Sequence, residues 1–376
     1  VLICEICGEG YLDVFSRPSR ATGLIIICRS ALFLSPPTPP CSPPAVLWYK
    51  NRMSDSATPL LEIRGLKTWY PIKKGVFAHT VGHTRAVDGV DLDLYPGETL
   101  GIVGESGCGK STLARSVLRL EKPREGTIRV GGQSVSGLRG GALRAYRRTV
   151  QVVFQDPQAS LNPRHTVLEI LTEAMLVHGL ATRESRRDAA VRLLSDVGLP
   201  ADILDRYPHE FSGGQRQRIC IARALALGPK LLICDEAVSA LDLSVRAQVL
   251  NLLEDLKARH GLAYLFITHD IGVVQHLADR IAVMYLGRVV ETGPAERVLG
   301  SPAHPYTQLL LRAVPKIGAP LPEEPAGASE PASRQVRQGC RFAPRCALAD
   351  DACRASEPAL EPLSSNKHLC ACFKAR

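Results

Sequence analysis

The chain of 376 residues contains no apolar run of about 18 residues, the length a membrane-crossing helix needs, so it is expected not to span a bilayer by itself. It has no long basic run either. Its 46 Lys and Arg against 37 Asp and Glu give a net charge of +9, a sign that suits nucleic acid or an anionic surface. The cations are scattered, however, and no nucleic-acid partner is expected. The early basic segment of a secretory signal is missing. Cys4-Glu5-Ile6-Cys7 is a lone C-x-x-C, and Cys28 with Cys41 makes a poor second pair for zinc. Residues 1–52 also lack a packable face. Leu24-Ile25-Ile26-Ile27-Cys28 is cut short by Arg29, and Pro36-Pro37-Thr38-Pro39-Pro40 blocks both helix and central strand. The chain opens on Val1, while Met53-Ser54-Asp55-Ser56 reads as a natural start, so residues 1–52 are expected to be disordered or not native.

What is present centres on Gly104-Glu105-Ser106-Gly107-Cys108-Gly109-Lys110-Ser111, which fits G-x-x-x-x-G-K-[ST]. The apolar stretch Thr99–Val103 before it reads as a buried strand, and Ala114, Val117 and Leu118 follow at helical spacing. The loop therefore joins a strand end to a helix start. Gly104, Gly107 and Gly109 let the backbone curl so that N–H groups converge where a phosphate would sit, and the helix start adds positive charge. Lys110 reaches the outer phosphates, the Ser111 hydroxyl can ligate Mg²⁺, and Thr112 completes the nucleotide cradle.

Three further strands are expected to end in polar residues. Val150–Phe154 ends at Gln155, placed to touch a metal or an attacking water. Leu231-Leu232-Ile233-Cys234, apolar throughout and so covered on both faces, ends in Asp235-Glu236. Two acids at such a tip are costly without a function: Asp235 can hold Mg²⁺ and Glu236 can accept a proton from water. Tyr264–Ile267 ends in Thr268-His269-Asp270, which favours a functional over a structural His269. Leu61–Arg64 and Val90–Leu94 alternate as half-exposed strands, with a polar loop expected from Pro71 to Thr84. Tyr70, at the end of the first strand, offers a face for an adenine ring or is an ordinary strand tyrosine. Residues 165–208 read as a helical insert, and Ile281–Glu291 as a closing hairpin around Leu286-Gly287. Cys108, Cys220 and Cys234 read as small packing residues in a reducing compartment.

In order and spacing, the P-loop, Gln155, Ser212-Gly213-Gly214-Gln215, Asp235-Glu236, Ser239-Ala240-Leu241-Asp242 and His269 resemble the ATP-binding cassette (ABC) ATPases. The Ser-Gly-Gly-Gln stretch discriminates, because other P-loop enzymes lack it. Asn162-Pro163-Arg164, Tyr207-Pro208-His209-Glu210-Phe211 and His304-Pro305-Tyr306-Thr307 resemble the dipeptide/oligopeptide (peptide/nickel) importer branch, nearest its second ATPase subunit.

The resemblance implies an α/β P-loop fold with a RecA-like core, an antiparallel β-subdomain and a helical subdomain (about 163–215), together spanning 57–295. A small cysteine-bearing C-terminal region, 296–376, would follow. It implies a head-to-tail dimer in which each ATP lies between one subunit's P-loop and the other's Ser212, Gly213, Gly214 and Gln215. Glu236 would polarise water, His269 would contact the γ-phosphate, and Gln155 would link the metal site to the membrane subunits. Ser111, Gln155 and Asp235 would hold Mg²⁺. The implied partners are a second ABC ATPase subunit, two membrane-spanning permeases and, indirectly, an extracytoplasmic peptide-binding protein. The chain would then sit at the cytoplasmic face of the plasma (inner) membrane. Ala237 stands where the family usually carries proline, which puts the turnover rate in question, and Phe211 replaces a commoner leucine. Alternatives are import of nickel or another small solute, and a non-transport ABC ATPase. The latter usually carries a coiled-coil insertion or two cassettes, and here there is one P-loop and no heptad run.

Beyond a Pro-, Ala- and Glu-rich linker from about Ile317 to Gln338 come Cys340, Cys346, Cys353, Cys370 and Cys372. Three spaced cysteines and a fourth from a return segment can surround one metal centre. Zinc and a disulfide framework are the alternatives. The importer resemblance implies a [4Fe–4S] cluster on Cys340, Cys346, Cys353 and Cys372, although Cys370 better fits the usual spacing.

Overall fold

A computed structural model describes residues 58–75, 79–314, 338–363 and 367–375. The expectations for residues 1–52 and for most of the linker fall outside these residues. The strands are β1 (Leu61–Lys74), β2 (His79–Leu94), β3 (Thr99–Val103), β4 (Glu125–Val130), β5 (Gln133–Ser134) and β6 (Val150–Val153). They continue as β7 (Leu231–Asp235), β8 (Ala263–Thr268), β9 (Arg280–Tyr285), β10 (Arg288–Pro294), β11 (Glu361–Pro362) and β12 (Leu369–Cys370). One sheet has the order β2-β1-β4-β5, with neighbours antiparallel; the other has the order β11-β12-β10-β9-β3-β8-β7-β6. Within the second, β9, β3, β8, β7 and β6 run parallel.

The continuous apolar runs of the parallel strands follow from burial on both faces. Leu231 and Ile233 of β7, with Ala263, Leu265 and Ile267 of β8, pack toward the P-loop helix Lys110–Val117 and the antiparallel sheet. Leu232, Cys234, Tyr264 and Phe266 pack on the other side, against the helices Gly213–Leu225 and Leu243–His260. The alternating strands β1 and β2 contribute Leu61, Ile63, Val90, Leu92 and Leu94 to the first of these cores. Their intervening Glu62, Arg64, Asp91 and Asp93 stay less buried.

The helical insert contains Val167–Val177, opened by a capping box between Thr166 and Glu169, and Arg186–Asp196. Val167, Ile170 and Leu171 are buried, as their spacing predicts. The hairpin of β9 and β10 turns at Leu286 and Gly287, both at positive φ (42° and 84°), the geometry a two-residue hairpin requires.

One expectation is corrected. Pro71–Thr84 is not a plain loop but the far part of a ribbon in which Ile72 pairs with Gly82 and Lys74 with His79. Tyr70 therefore lies inside β1 rather than at its end. Pro71 is tolerated there because β4 accompanies β1 only as far as Lys67, leaving an edge that needs no N–H donor.

Candidate active site

The parallel strands bring the polar tips together. In register, Val103 stands beside Thr268, Asp235 beside Ile267 and Val153 beside Cys234. The P-loop, His269, Asp235-Glu236 and Gln155 thus emerge at the same, carboxyl edge of adjacent strands, where α/β sheets bind ligands.

The P-loop has no room for side chains at two points. A Cβ on Gly104 (φ 154°) would lie 2.2 Å from the Met284 carbonyl oxygen, and one on Gly109 (φ 115°) 2.0 Å from that of Ala86. Lys110 is buried, and its ammonium donates to the carbonyls of Gly104 (2.7 Å) and Glu105 (2.9 Å), so it closes the curl from inside. The Ser111 hydroxyl donates to Asp235 Oδ1 at 3.0 Å, joining the helix start to the tip of β7. Burial pushes the Asp235 carboxyl above its ordinary range and neighbouring Glu236 adds to this, while Ser111, Arg115 and Lys110 oppose it.

Glu236 has a left-handed backbone (φ 50°), and its N–H donates to the Ile267 carbonyl. This turns the carboxylate toward β8, where Glu236 Oε1 lies 3.2 Å from His269 Nδ1. Ala237 is buried behind it. Gln155 is exposed just past β6, and Thr112 is half-buried in the first turn of the P-loop helix. Tyr70 is half-buried and pairs with Thr84. Its neighbour Trp69 is held by Asp88 through its ring N–H (3.1 Å), with the guanidinium groups of Arg85 and Arg124 within 4.6 Å of the ring centroid.

The Ser-Gly-Gly-Gln stretch is not joined to this P-loop. Ser212 caps its own helix, its hydroxyl accepting from the Gln215 N–H, and both Ser212 and Gly213 are exposed. A Cβ on Gly214 would come 2.5 Å from Val245 Cγ1, so this glycine lets the helix start sit against helix Leu243–His260.

Residues 87–239 match the ABC transporter family, and residues 290–353 match the family described as oligopeptide/dipeptide transporter, C-terminal region. A probable peptide ABC transporter ATP-binding protein of Sinorhizobium fredii is 49% identical over 317 residues, covering 84% of this chain and 89% of its own. The oligopeptide transport ATP-binding protein AppF of Bacillus subtilis is 48% identical, covering 83% of this chain and 96% of its own. The dipeptide transport ATP-binding protein DppF of Haemophilus influenzae is 46% identical, covering 84% and 97%. Among solved structures, a dimeric ATP-binding cassette in a post-hydrolysis state with ADP and Pi superposes with a TM-score of 0.55. It is 29% identical and covers 62% of this chain and 98% of that one.

The chain belongs to the ABC transporter ATP-binding proteins. It is an ATPase of the cassette type, and among its described residues no helix is long and apolar enough to cross a membrane.

Sequence reasoning missed several residues of this cassette. Arg246 pairs with Asp270 at 2.8 Å and donates to the Leu241 carbonyl at 3.3 Å, tying the segment after Glu236 to the one after His269. At the P-loop, Glu105 forms a two-pronged ion pair with Arg345, both contacts 2.9 Å. Its N–H donates to the Tyr306 hydroxyl at 2.8 Å. Tyr306 lies in the His-Pro-Tyr-Thr stretch, so a signal existed without a geometric meaning.

The C-terminal residues dock on the cassette through both apolar and charged contacts. Strand β12 adds to β10, pairing Cys370 with Glu291. Arg341 binds Asp88 and the Leu286 carbonyl. Burial alone would push the Asp88 carboxyl up, but Arg341, Arg288 and Arg85 outweigh it and hold it below the usual range. Cys340, Cys346, Cys353 and Cys372 line one small pocket with His304 and Phe342, while Cys370 is buried in β12 and does not line it. Burial pushes the Cys340 and Cys372 thiols up, backbone N–H groups of Phe342, Ala343, Lys374 and Ala375 oppose it, and the neighbouring cysteines add to the rise. The iron–sulfur expectation meets a limit here. Among the described residues, no three His, Cys, Asp or Glu side chains stand at metal-holding spacing.

Proposed function

We propose that this chain energises a membrane importer of di- and oligopeptides as one half of a head-to-tail cassette pair. The observation carrying this reading is a cassette and an oligopeptide/dipeptide-type C-terminal region in one chain. The cassette occupies 57–295 with a helical subdomain at about 163–215, and the cysteine-bearing extension occupies 296–376.

The N–H groups around Gly104, Gly107 and Gly109, with Lys110 and Thr112, receive the phosphates, and Tyr70 takes the adenine. Ser111, Asp235 and Gln155 supply the hard oxygen donors that suit Mg²⁺, and the 3.0 Å contact of Ser111 with Asp235 supports that seat. The ion, when bound, offsets phosphate charge. Glu236 accepts the proton of the attacking water, and His269, in contact with Glu236, reaches the γ-phosphate. Ser212, Gly213, Gly214 and Gln215 serve the nucleotide of the partner cassette. The exposure of Ser212, Gly213 and Gln215 supports that role. Two permease subunits receive the motion, fed by an extracytoplasmic peptide-binding protein, at the cytoplasmic face of the plasma (inner) membrane.

Reconstitution in vesicles with these partners tests the reading. Labelled peptide should accumulate only with hydrolysable ATP. Uptake of a metal ion or another small solute in place of peptide, or none at all, would overturn it.

The thiols of Cys340, Cys346, Cys353 and Cys372 are proposed to hold a [4Fe–4S] cluster, with zinc as the competing occupant. Four thiols lining one pocket would supply the four thiolate ligands such a cluster takes. Anaerobically purified protein should be brown, with about four irons per chain. A colourless sample with stoichiometric zinc overturns the assignment.

A further inference from the structure

The threefold contact of the C-terminal region with the P-loop residue Glu105 has no place in the roles above. Glu105 is the second residue of the phosphate-binding loop, and its carboxylate stands beside a site built for the most highly charged part of ATP. Left alone, that charge repels the incoming phosphates. It is answered from outside the cassette motifs. Arg345 meets both carboxylate oxygens at 2.9 Å in the parallel fork that fixes orientation as well as charge. The Arg345 side chain is only 10% exposed, against 35% for Glu105. Its guanidinium lies 5.9 Å from the Tyr285 ring centroid and 5.8 Å from that of Phe342, so it is held on two aromatic surfaces.

The backbone of the same residue is held separately. The Glu105 N–H donates to the hydroxyl of fully buried Tyr306, whose ring packs 4.6 Å from Tyr285 and 5.5 Å from Phe342. Tyr306 is placed in turn by His304, whose Nδ1 accepts the Tyr306 N–H. Glu105 is thus gripped by side chain and backbone from two segments of the C-terminal region, 201 and 240 residues away in sequence. The Glu105 carbonyl meanwhile accepts from the Lys110 ammonium, so this grip bears on the lysine's seat.

We propose that Arg345 is a positioning residue for ATP binding. Through its fork on Glu105 it neutralises the P-loop carboxylate and fixes the loop in the shape that admits the triphosphate. The C-terminal region is therefore part of the nucleotide site, acting on affinity for ATP rather than on the hydrolytic step.

The test uses the full chain in its assembled transporter, with ATPase kinetics and the melting temperature of the nucleotide-free protein read side by side. Arg345→Ala should raise KM for ATP about tenfold while kcat stays within about twofold, the scale of a lost charge-assisted pair. Adding Glu105→Gln to Arg345→Ala should recover most of that loss, because the uncompensated carboxylate is gone. Arg345→Lys, which keeps the charge and loses the fork, should fall between parent and Arg345→Ala, and it carries the test if the alanine variant does not fold. A parental KM in Arg345→Ala overturns the proposal. So does a double variant with KM no better than the single one, or an equal fall in kcat and melting temperature with KM unmoved. If only Arg345→Lys folds, a parental KM in that variant overturns it as well.

Discussion

Glu236 shows how much a single backbone angle does in this site. Its left-handed φ of 50° swings the carboxylate off the line of β7 and toward His269, and the N–H bond to Ile267 holds it there. If Glu236 is the proposed proton acceptor, it should be needed for turnover and not for binding. Glu236→Gln is expected to keep ATP affinity and lose about 10²- to 10⁴-fold in hydrolysis by the assembled transporter, measured by phosphate release and nucleotide binding together. A variant working at the parental rate would remove Glu236 from that role. Lys110→Ala should do the opposite and weaken binding itself, because its ammonium closes the loop on the Gly104 and Glu105 carbonyls and is the proposed phosphate contact. These residues were legible in sequence because each sits at a fixed offset from a strand or glycine pattern. Arg246 and Arg345 were not: what an arginine does depends on which carboxylate the fold brings to it, here 24 and 240 residues away.

Among the elements, the parallel strands were the most legible, since burial on both faces writes an uninterrupted apolar run. The ribbon of β1 and β2 was the least, because from Pro71 to Lys74 β1 is exposed and so shows no alternation. The signature helix has a tight constraint at its start. Gly214→Ala puts a methyl 2.5 Å from a branched Val245 carbon, and helix Gly213–Leu225 has to shift against Leu243–His260. A loss of about 1–3 kcal/mol is expected, read as a lower denaturation midpoint, with weaker ATPase of the pair.

The docked C-terminal region carries a pH dependence of its own. Burial lowers the His304 pKa from 6.5 to about 4, against Glu291 and the Ala371 backbone, which raise it. A depressed folded value means the unfolded chain takes the proton first. Stability is therefore full above about 6.5 and is lost as pH falls from there toward 4, on the order of 3 kcal/mol from this group. Thermal melts across that range should show the slope, and His304→Gln should flatten it.

At the scale of the whole molecule, Ser212 and Gly213 stay exposed and bond within their own helix, leaving the P-loop of the same chain without a signature partner. The isolated chain is therefore expected to hydrolyse ATP poorly and to gain activity with a second cassette. Robust turnover by a proven monomer, checked by light scattering during the assay, would count against the paired arrangement. The cassette order was readable from motifs spread over the chain. The attachment of the C-terminal region was not, because two-residue strands such as β11 and β12 have no period to detect.

That small strand has a consequence for solubility. Main-chain groups on the outer side of β10 pair with Leu369 and Cys370, and the buried carboxylate of Glu291 meets the ring of His368 at 2.8 Å. Leu369 and Cys370, with β11 beyond them, thereby cover the side of β10 that carries Val289 and Val290. Proteolytic trimming ahead of Leu369 would strip that cover, and the shortened cassette, its sheet margin bare, would recruit strands from its neighbours and precipitate.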